Sequence, residues 1–366
     1  MAIRRHVYPG GNTRFGFFSF YDQVVGPDVT QKIILKGGPG VGKSSFMQKI
    51  ADHFSGLGVD IEEHGCSSDP ASLDAVVIGK QQFCLLDGTS PHVVDPVYPG
   101  AVDEILNLGD YWDQAMLKAH RKEIMHLTQE IAKCFLRAYG RLRECCMAYD
   151  ELKHYYAENR ISRSLKRNLQ ALTADFLAGS VSDYRALRHL FAGALTPGGL
   201  ITRLETLIDQ ETAIFAVKGS PGSGVQDLFS HTKNLMEQGG IYGEIFHNPV
   251  DPDDIDYILV PSSNSLLIHI EPALLPYREI IKGRKLKRQL DFDQLLDHEG
   301  VANRSKLVFA ATHRYHQGIS EAVQILQTAK KWHDELEAYY VPAMDFAAVD
   351  TRRQQIVAAW QEQLGL

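Results

Sequence analysis

The segment Lys36-Gly37-Gly38-Pro39-Gly40-Val41-Gly42 recurs as Lys218-Gly219-Ser220-Pro221-Gly222-Ser223-Gly224, and this repetition constrains the fold of the 366-residue chain more than any other feature. The same offset of 182 residues carries Asp69-Pro70 onto Asp251-Pro252 and Asp74 onto Asp256 without a gap. Upstream, His6, Gly10, Thr13 and Gly16 return as His189, Gly193, Thr196 and Gly199, an offset of 183. Downstream, Asp150-Glu151-Leu152 with Tyr155-Tyr156 returns as Asp334-Glu335-Leu336 with Tyr339-Tyr340, an offset of 184. Chance does not align three such regions within two residues. The chain therefore reads as a tandem duplication with its boundary near residue 183. Its two units, 1–183 and 184–366, are each long enough to bury a core.

Each unit reads as an α/β half followed by helices. Lys32 to Leu35 is a short apolar, β-branched run ending in glycines, and Ser44 to Phe54 carries Phe46, Ile50 and Phe54 at helical spacing. Val59 to His64, Ala75 to Ile78 and Phe83 to Leu86 read as further strands. Strands alternating with helices favour a mostly parallel sheet flanked by helices. From about Asp113 the period changes. Ile124, Leu127, Ile131, Phe135, Ala138, Leu142, Cys145, Tyr149, Leu152 and Tyr156 are spaced by threes and fours, which predicts one long helix with a buried seam. Its counterpart is expected from about Ile319 to Tyr340, stopping at Pro342.

The turn after the first strand is chemically specific. Gly37-x-x-x-x-Gly42-Lys43-Ser44 completes a Walker A pattern in the strand-turn-helix setting that a P-loop needs. Without β-carbons in the way, Gly37, Gly38, Pro39, Gly40, Val41 and Gly42 can curl around phosphates, with backbone amides and the helix dipole facing the anion. Lys43 is expected to reach the β- and γ-phosphates and the Ser44 hydroxyl to ligate Mg²⁺. Ser45 is placed to help hold the α-phosphate, and reads equally as a solvated helix residue. Phe83-Cys84-Leu85-Leu86-Asp87 has the form of a strand ending in an acid, so Asp87 is the candidate for holding Mg²⁺ directly or through water. No glutamate follows Asp87. Glu62, Glu63, Asp69 and His92 are candidates for positioning water, although a loop or surface role is the plainer reading of each.

The second copy departs from this chemistry. At the 182 offset Lys43 becomes Val225 and Ser44 becomes Gln226, while the offset of 184 sets Glu271 opposite Asp87. The second unit reads as a decayed scaffold, or as a pseudo-active half supplying interface or regulatory contacts. Its loop amides alone can still bind an anion.

Composition narrows the function classes. The 44% hydrophobic and 23% charged residues are those of a globular protein, and a net charge of −7 argues against a general nucleic-acid binder. No apolar run approaches the roughly 20 residues needed to cross a bilayer, and the opening Met-Ala-Ile-Arg-Arg-His lacks a signal peptide's apolar core, so a cytoplasmic location is expected. Cys66, Cys84, Cys134, Cys145 and Cys146 have no metal-binding spacing and read as small core residues. The basic run Lys282 to Arg288 reads as a solvated loop. Arg160, Arg163, Lys166 and Arg167, with Arg14 and Arg203, supply candidates for an arginine finger. His313 and His316 lack a third ligand and read as surface residues.

Asn12-Thr13 with Gly16-Phe17, the P-loop, Cys66-Ser67-Ser68-Asp69-Pro70 through Ser72-Leu73-Asp74, and Asp87-Gly88-Thr89-Ser90-Pro91-His92 together form a distinctive set. Over essentially the whole chain it resembles a bacterial family of duplicated P-loop ATPases, common in spore-forming and related Gram-positive anaerobes. The resemblance implies ATP binding and a RecA-like or related P-loop NTPase fold, and brings no established substrate. It also implies a fuller second P-loop, from which Val225 and Gln226 depart. Three functions follow: a Mg²⁺-dependent ATPase that moves its helical arms or switches a protein partner, a small-molecule or nucleoside kinase, and a nucleotide-sensing module with negligible turnover. Long helices and a partly dead second unit favour the first.

Overall fold

The computed structural model describes residues 2–80, 82–90, 93–275 and 277–366, with Ser162 described in its backbone alone. The first half runs β1 (Arg4–Val7), β2 (Gly10–Thr13), β3 (Gly16–Ser19), β4 (Gln31–Lys36), α1 (Lys43–Gly56), β5 (Ile61–Gly65), β6 (Leu73–Ile78), β7 (Phe83–Asp87) and β8 (Asp103–Asn107). Three helices follow: α2 (Gln114–Ala119), α3 (Arg121–Ala157) and α4 (Ser162–Leu177). The second half repeats the plan with β9 (Arg188–Phe191), β10 (Ala194–Thr196), β11 (Gly199–Ile201), β12 (Ala213–Lys218), α5 (Val225–Gly239), β13 (Glu244–His247), β14 (Ile255–Val260) and β15 (Ser265–His269). It closes with α6 (Tyr277–Ile280), β16 (Leu286–Asp291), α7 (His298–Asn303), α8 (Ser305–Tyr340) and α9 (Phe346–Leu364).

The two six-stranded sheets correspond strand for strand, β1-β5-β6-β7-β4-β8 and β9-β13-β14-β15-β12-β16. Within these two sheets the strands run parallel except β6 and β14, which are antiparallel to both neighbours, while β2–β3 and β10–β11 form separate antiparallel pairs. Strands such as β6 (Leu-Asp-Ala-Val-Val-Ile) and β14 (Ile-Asp-Tyr-Ile-Leu-Val) are buried along their whole length, as a sheet covered on both faces requires. Lys36 and Lys218 close the equivalent strands β4 and β12, as a duplication demands.

Helices α3 and α8 pair antiparallel, each about 55 Å long at 1.5 Å per residue. The predicted seam is real: Leu142 and Tyr149 are buried, and Tyr149 stacks on Tyr315 with ring centroids 4.7 Å apart. Gly318 lets the helices approach closely, since a β-carbon there would run into Cys145. Arg141–Glu321 (2.8 Å) and Arg314–Glu151 (2.6 Å) flank the seam. Helix α8 starts at Ser305, well ahead of the expected Ile319. Its first turns meet α3 through Ala311, Tyr315 and Gly318, a pattern too small-sided to read as an apolar stripe.

The long pair exchanges the ends of the two halves. Helix α4 follows the first half in sequence yet packs on the second sheet, where Leu165, Leu172 and Phe176 join Phe215, Val217, Leu228 and Phe229. Helix α9 reciprocates: Val349, Ile356, Val357 and Trp360 complete the core of Ile33, Phe46, Ile50, Phe54 and Phe83. Trp360 stacks on Phe83 at 4.7 Å and donates its indole N–H to Gln31 Oε1 at 2.7 Å.

A second join lies where β1 meets β9, through the Tyr8–Phe191 bridge. Arg5 and Glu62 are register partners in the first sheet, and Arg188 and Glu244 occupy the same places in the second. Each arginine also reaches across: Arg5 to Glu244 at 2.5 Å and Arg188 to Glu62 at 2.5 Å. Burial would raise the Glu62 carboxyl, but Arg188 and Arg5 hold it well below the usual carboxylate range.

The basic run does not form the expected loop throughout. Its second part is the edge strand β16, whose Lys287 and Arg288 put charge on an edge that would otherwise pair with another chain. All five cysteines are buried. Among the described residues, no helix is long and apolar enough to cross a membrane.

Candidate phosphate-binding site

The site forms where β4, β7 and the start of β6 end together. Val41 is fully buried and anchors the loop in the core, while Gly42 caps α1 in the left-handed conformation at φ 88°, which a side chain would strain. Lys43, the first residue of α1, donates from Nζ to the carbonyls of Gly37 (2.9 Å) and Gly38 (3.0 Å). Asp87 ends β7 in register with Leu35 of β4, so its carboxylate comes within 3.6 Å of the Lys43 ammonium. Thr89 fixes this corner, donating its amide to Asp87 Oδ1 (2.8 Å) and its hydroxyl to the Gly37 carbonyl (3.1 Å).

The antiparallel course of β6 delivers another acid here. Because β6 starts where its neighbours end, Leu73 and Asp74 lie at the loop. The Leu73 amide donates to Ser44 Oγ at 3.0 Å, and Asp74 is only 2% exposed while lining the same cavity. Burial, and then Asp74 beside them, push the Tyr21 phenol and the Cys66 thiol well above their ordinary values. The sequence presented Asp74 as a repeat anchor and as part of the resemblance motif, not as a candidate site residue. An antiparallel strand within an otherwise parallel run is what placed it.

Lys43, Ser44, Ser45, Asp87, Asp74 and Pro39 to Gly42 border one cavity of about 1120 Å³. Its donor set is a cation, a hydroxyl, two carboxylates and a glycine cradle in which a β-carbon on Gly37 would sit 2.8 Å from Val41. Such a set fits a magnesium-bound polyphosphate. The far walls come from the exchanged helices. Helix α8 contributes Lys330, His333 and Glu337, and α9 contributes Phe346, Asp350 and Arg353. Lys330 holds Asp69 at 3.4 Å, and Glu337 packs against Gly40. None of these α8 and α9 residues was legible as part of a site, because they lie about 290 or more positions from the loop.

The other sequence candidates scatter. Glu63 binds Arg4 at 2.6 Å, and Glu62 belongs to the inter-sheet cluster, so neither borders this cavity. His92 lies outside the described residues. Arg14 is tied to Asp150 (2.5 Å) and Asp251 (2.9 Å), Arg203 lies beside Glu205 (3.9 Å), and Arg163, Lys166 and Arg167 are exposed on or beside α4. Among the described lining residues, the arginine is Arg353. His313 and His316 are exposed on either side of buried Tyr315.

The second loop keeps the shape and loses the chemistry. Strand register sets His269, not Glu271, opposite Asp87: Val217 pairs with His269 as Leu35 pairs with Asp87. The two extra residues enter later, around α6 and before β16. His269 is buried and held neutral, pushed down to about 4, with its ring nitrogen 3.1 Å from the Gly219 carbonyl. Gln226 fills the place of Ser44 and clamps the main chain of Ile255, accepting at 2.9 Å and donating at 3.0 Å. Asp293 accepts from the Ser220 amide (2.7 Å) and hydroxyl (3.1 Å). Arg160, which pairs with Asp227 at 3.0 Å, donates to the Gly222 carbonyl. A cavity of about 310 Å³ remains between the loop and α3. The chain matches no family model, no curated protein and no solved structure with which it was compared.

Proposed function

We propose that the chain binds Mg²⁺-ATP across Gly37 to Ser45 and hydrolyses it, using the first half for chemistry and the exchanged helices to transmit the outcome to a partner. The observation that carries this reading is the convergence of Lys43, Ser44 and Asp87 on one glycine cradle, with Lys43 and Asp87 3.6 Å apart. Lys43 exchanges the Gly37 and Gly38 carbonyls for phosphate oxygens, which are stronger, charge-assisted acceptors. The Ser44 hydroxyl and the Asp87 carboxylate would hold the metal, which when bound neutralises charge on the β- and γ-phosphates. Asp69 and Glu337 border the same space, as do Asp74 and Asp350, and Asp69 and Glu337 are the two we assign to orienting water. Lys330 links Asp69 to α8, so a γ-phosphate competing for that ammonium would loosen or tighten the arm. The fold reading that accompanies this function is a RecA-like or related P-loop NTPase.

A kinase is the second reading, favoured by the apolar part of the cavity, lined by Phe17, Ile131, Phe135, Tyr139 and Leu326. Phosphate release from Mg²⁺-ATP, measured alone and with hydroxyl-bearing acceptors, separates the readings. Release without acceptor that disappears in Lys43→Ala supports hydrolysis, and ADP formed only with an acceptor supports transfer. Tight binding with neither product leaves a sensing module.

A further inference from the structure

With the triphosphate seated on the loop, the position of the nucleoside is constrained. On the P-loop reading Ser45 would stand at the α-phosphate end, and ribose and base would continue past it along the first turns of α1, where Lys49 also lines the cavity. Helix α9 lies against that stretch. Phe346, Val349, Asp350 and Arg353 occupy positions i, i+3, i+4 and i+7 of α9, hence one face, and all four line the cavity.

Phe346 is the residue of interest. It opens α9 directly after the cap, where Asp345 accepts from the amides of Ala347 and Ala348 at 3.1 and 3.0 Å. Its ring lies 3.3 Å from where a β-carbon of Gly42 would be, at the lip of the cradle, yet Phe346 remains 43% exposed. Opposite in character, Arg353 is largely covered and donates from Nε to Asp350 at 2.9 Å, which fixes the plane of its guanidinium.

We propose that this face of α9 is the nucleobase subsite, with Phe346 stacking on a purine and Arg353 donating to acceptor atoms of the base or ribose. The proposal rests on the P-loop reading and names the part of the ligand that α9 recognises. A purine is favoured over a pyrimidine because its larger π-face covers more of the Phe346 ring. Phosphates are then read by the first half of the sequence and the base by the second.

Calorimetry with Mg²⁺ and either ATP or inorganic tripolyphosphate tests it on wild type, Phe346→Ala, Phe346→Trp and Lys43→Ala. Phe346→Ala should weaken ATP about tenfold or more while leaving tripolyphosphate unchanged. Phe346→Trp should restore ATP binding, and wild type should bind CTP more weakly than ATP. Lys43→Ala should weaken both ligands. Equal losses of ATP and tripolyphosphate in Phe346→Ala, or no loss of either, overturn the proposal. Wild type that binds neither ligand overturns the P-loop reading, and the subsite falls with it.

Discussion

Trp360→Ala removes one of the largest buried side chains of the first sheet's core by a change near the end of the chain. Trp360 is 1% exposed, lies flat on Phe83 and hydrogen-bonds Gln31 at 2.7 Å. A tryptophan buries roughly 150–250 Å², or about 4–6 kcal/mol at 25 cal/mol per Å². Measured truncations of buried aromatics cost about 3–5 kcal/mol, because neighbours relax into part of the space. About 4 kcal/mol corresponds to roughly a thousandfold increase in opening. Hydrogen exchange followed by mass spectrometry should show it in β4, β7 and α1, more than 270 positions away in sequence. Phe176 is the equivalent residue of α4, at an offset of 184, and meets Phe215 edge-on at 5.5 Å. Phe176→Ala should therefore unprotect β12, β15 and α5. Unchanged protection in β4, β7 and α1 of Trp360→Ala would refute the reciprocal exchange of helices.

Further outcomes follow from the same geometry. Lys43→Ala should abolish hydrolysis and weaken nucleotide about a hundredfold, with calorimetry on the wild type giving one tight site per chain. Gln226→Ala should leave hydrolysis nearly intact yet cost about 1–3 kcal/mol in urea unfolding, because the Ile255 main chain loses both partners; two equivalent tight sites, or an inactive Gln226→Ala, would contradict the assignment of the working half. Arg188→Met should cost up to about 3–5 kcal/mol, because Glu62 and Glu244 are left to share Arg5 alone, and a change below about 1 kcal/mol would show that the cluster does not join the sheets. His269 titrates near 4 in the folded chain against about 6.5 unfolded, so the unfolded state alone binds its proton between those values. Its contribution is present above about pH 6.5 and is lost as pH falls towards 4, about 3 kcal/mol in all. His269→Gln should flatten that part of the stability profile, and an unaltered slope would mean that His269 is not held neutral.

What the sequence disclosed was local. The glycine turn, the strand before it and the helix after it are adjacent, so their spacing alone specified Lys43 and Ser44, while Asp87 was offered by the form of its own strand, four apolar residues ending in an acid. The seam of α3 was equally visible, since its apolar residues keep one period over many turns. Three features escaped for physical reasons. β1, β2 and β3 are four residues each, and Asn12 is used as a buried tie, donating to the carbonyls of Ser67 and Leu195, with no apolar pattern to advertise it. The antiparallel sense of β6, which carries Asp74 to the loop, is a property of connection and not of composition. The destination of α4 and α9 was invisible because an amphipathic face specifies that something covers it, not which of two similar sheets does so.

The duplication sets two versions of one loop against two long helices, and their difference suggests what the second half retains. In the second half the polar groups of the glycine loop are satisfied from within. The Asp293 carboxylate takes the Ser220 amide and hydroxyl, and the α3 main chain at Lys153 lies so close to Gly222 that a β-carbon there would run into it. At the place equivalent to Asp293 the first half has Gly109, and the carboxylate of the next residue, Asp110, accepts from Asn107 at 2.7 Å. On the proposed nucleotide-binding reading, a seam fixed at the second loop and one sensitive to ligand at the first would let binding move α8 relative to α3. Asp293→Ala tests which feature silences the second loop. It removes a charge-assisted contact, so residues 219 to 224 should exchange faster and stability should fall by about 1–3 kcal/mol. It restores neither the ammonium lost at Val225 nor the hydroxyl lost at Gln226, and α3 still covers Gly222. Calorimetry should therefore still give one nucleotide per chain. A second nucleotide bound by Asp293→Ala would show that the carboxylate alone closes the loop, and that Val225 and Gln226 are tolerated in a working phosphate site.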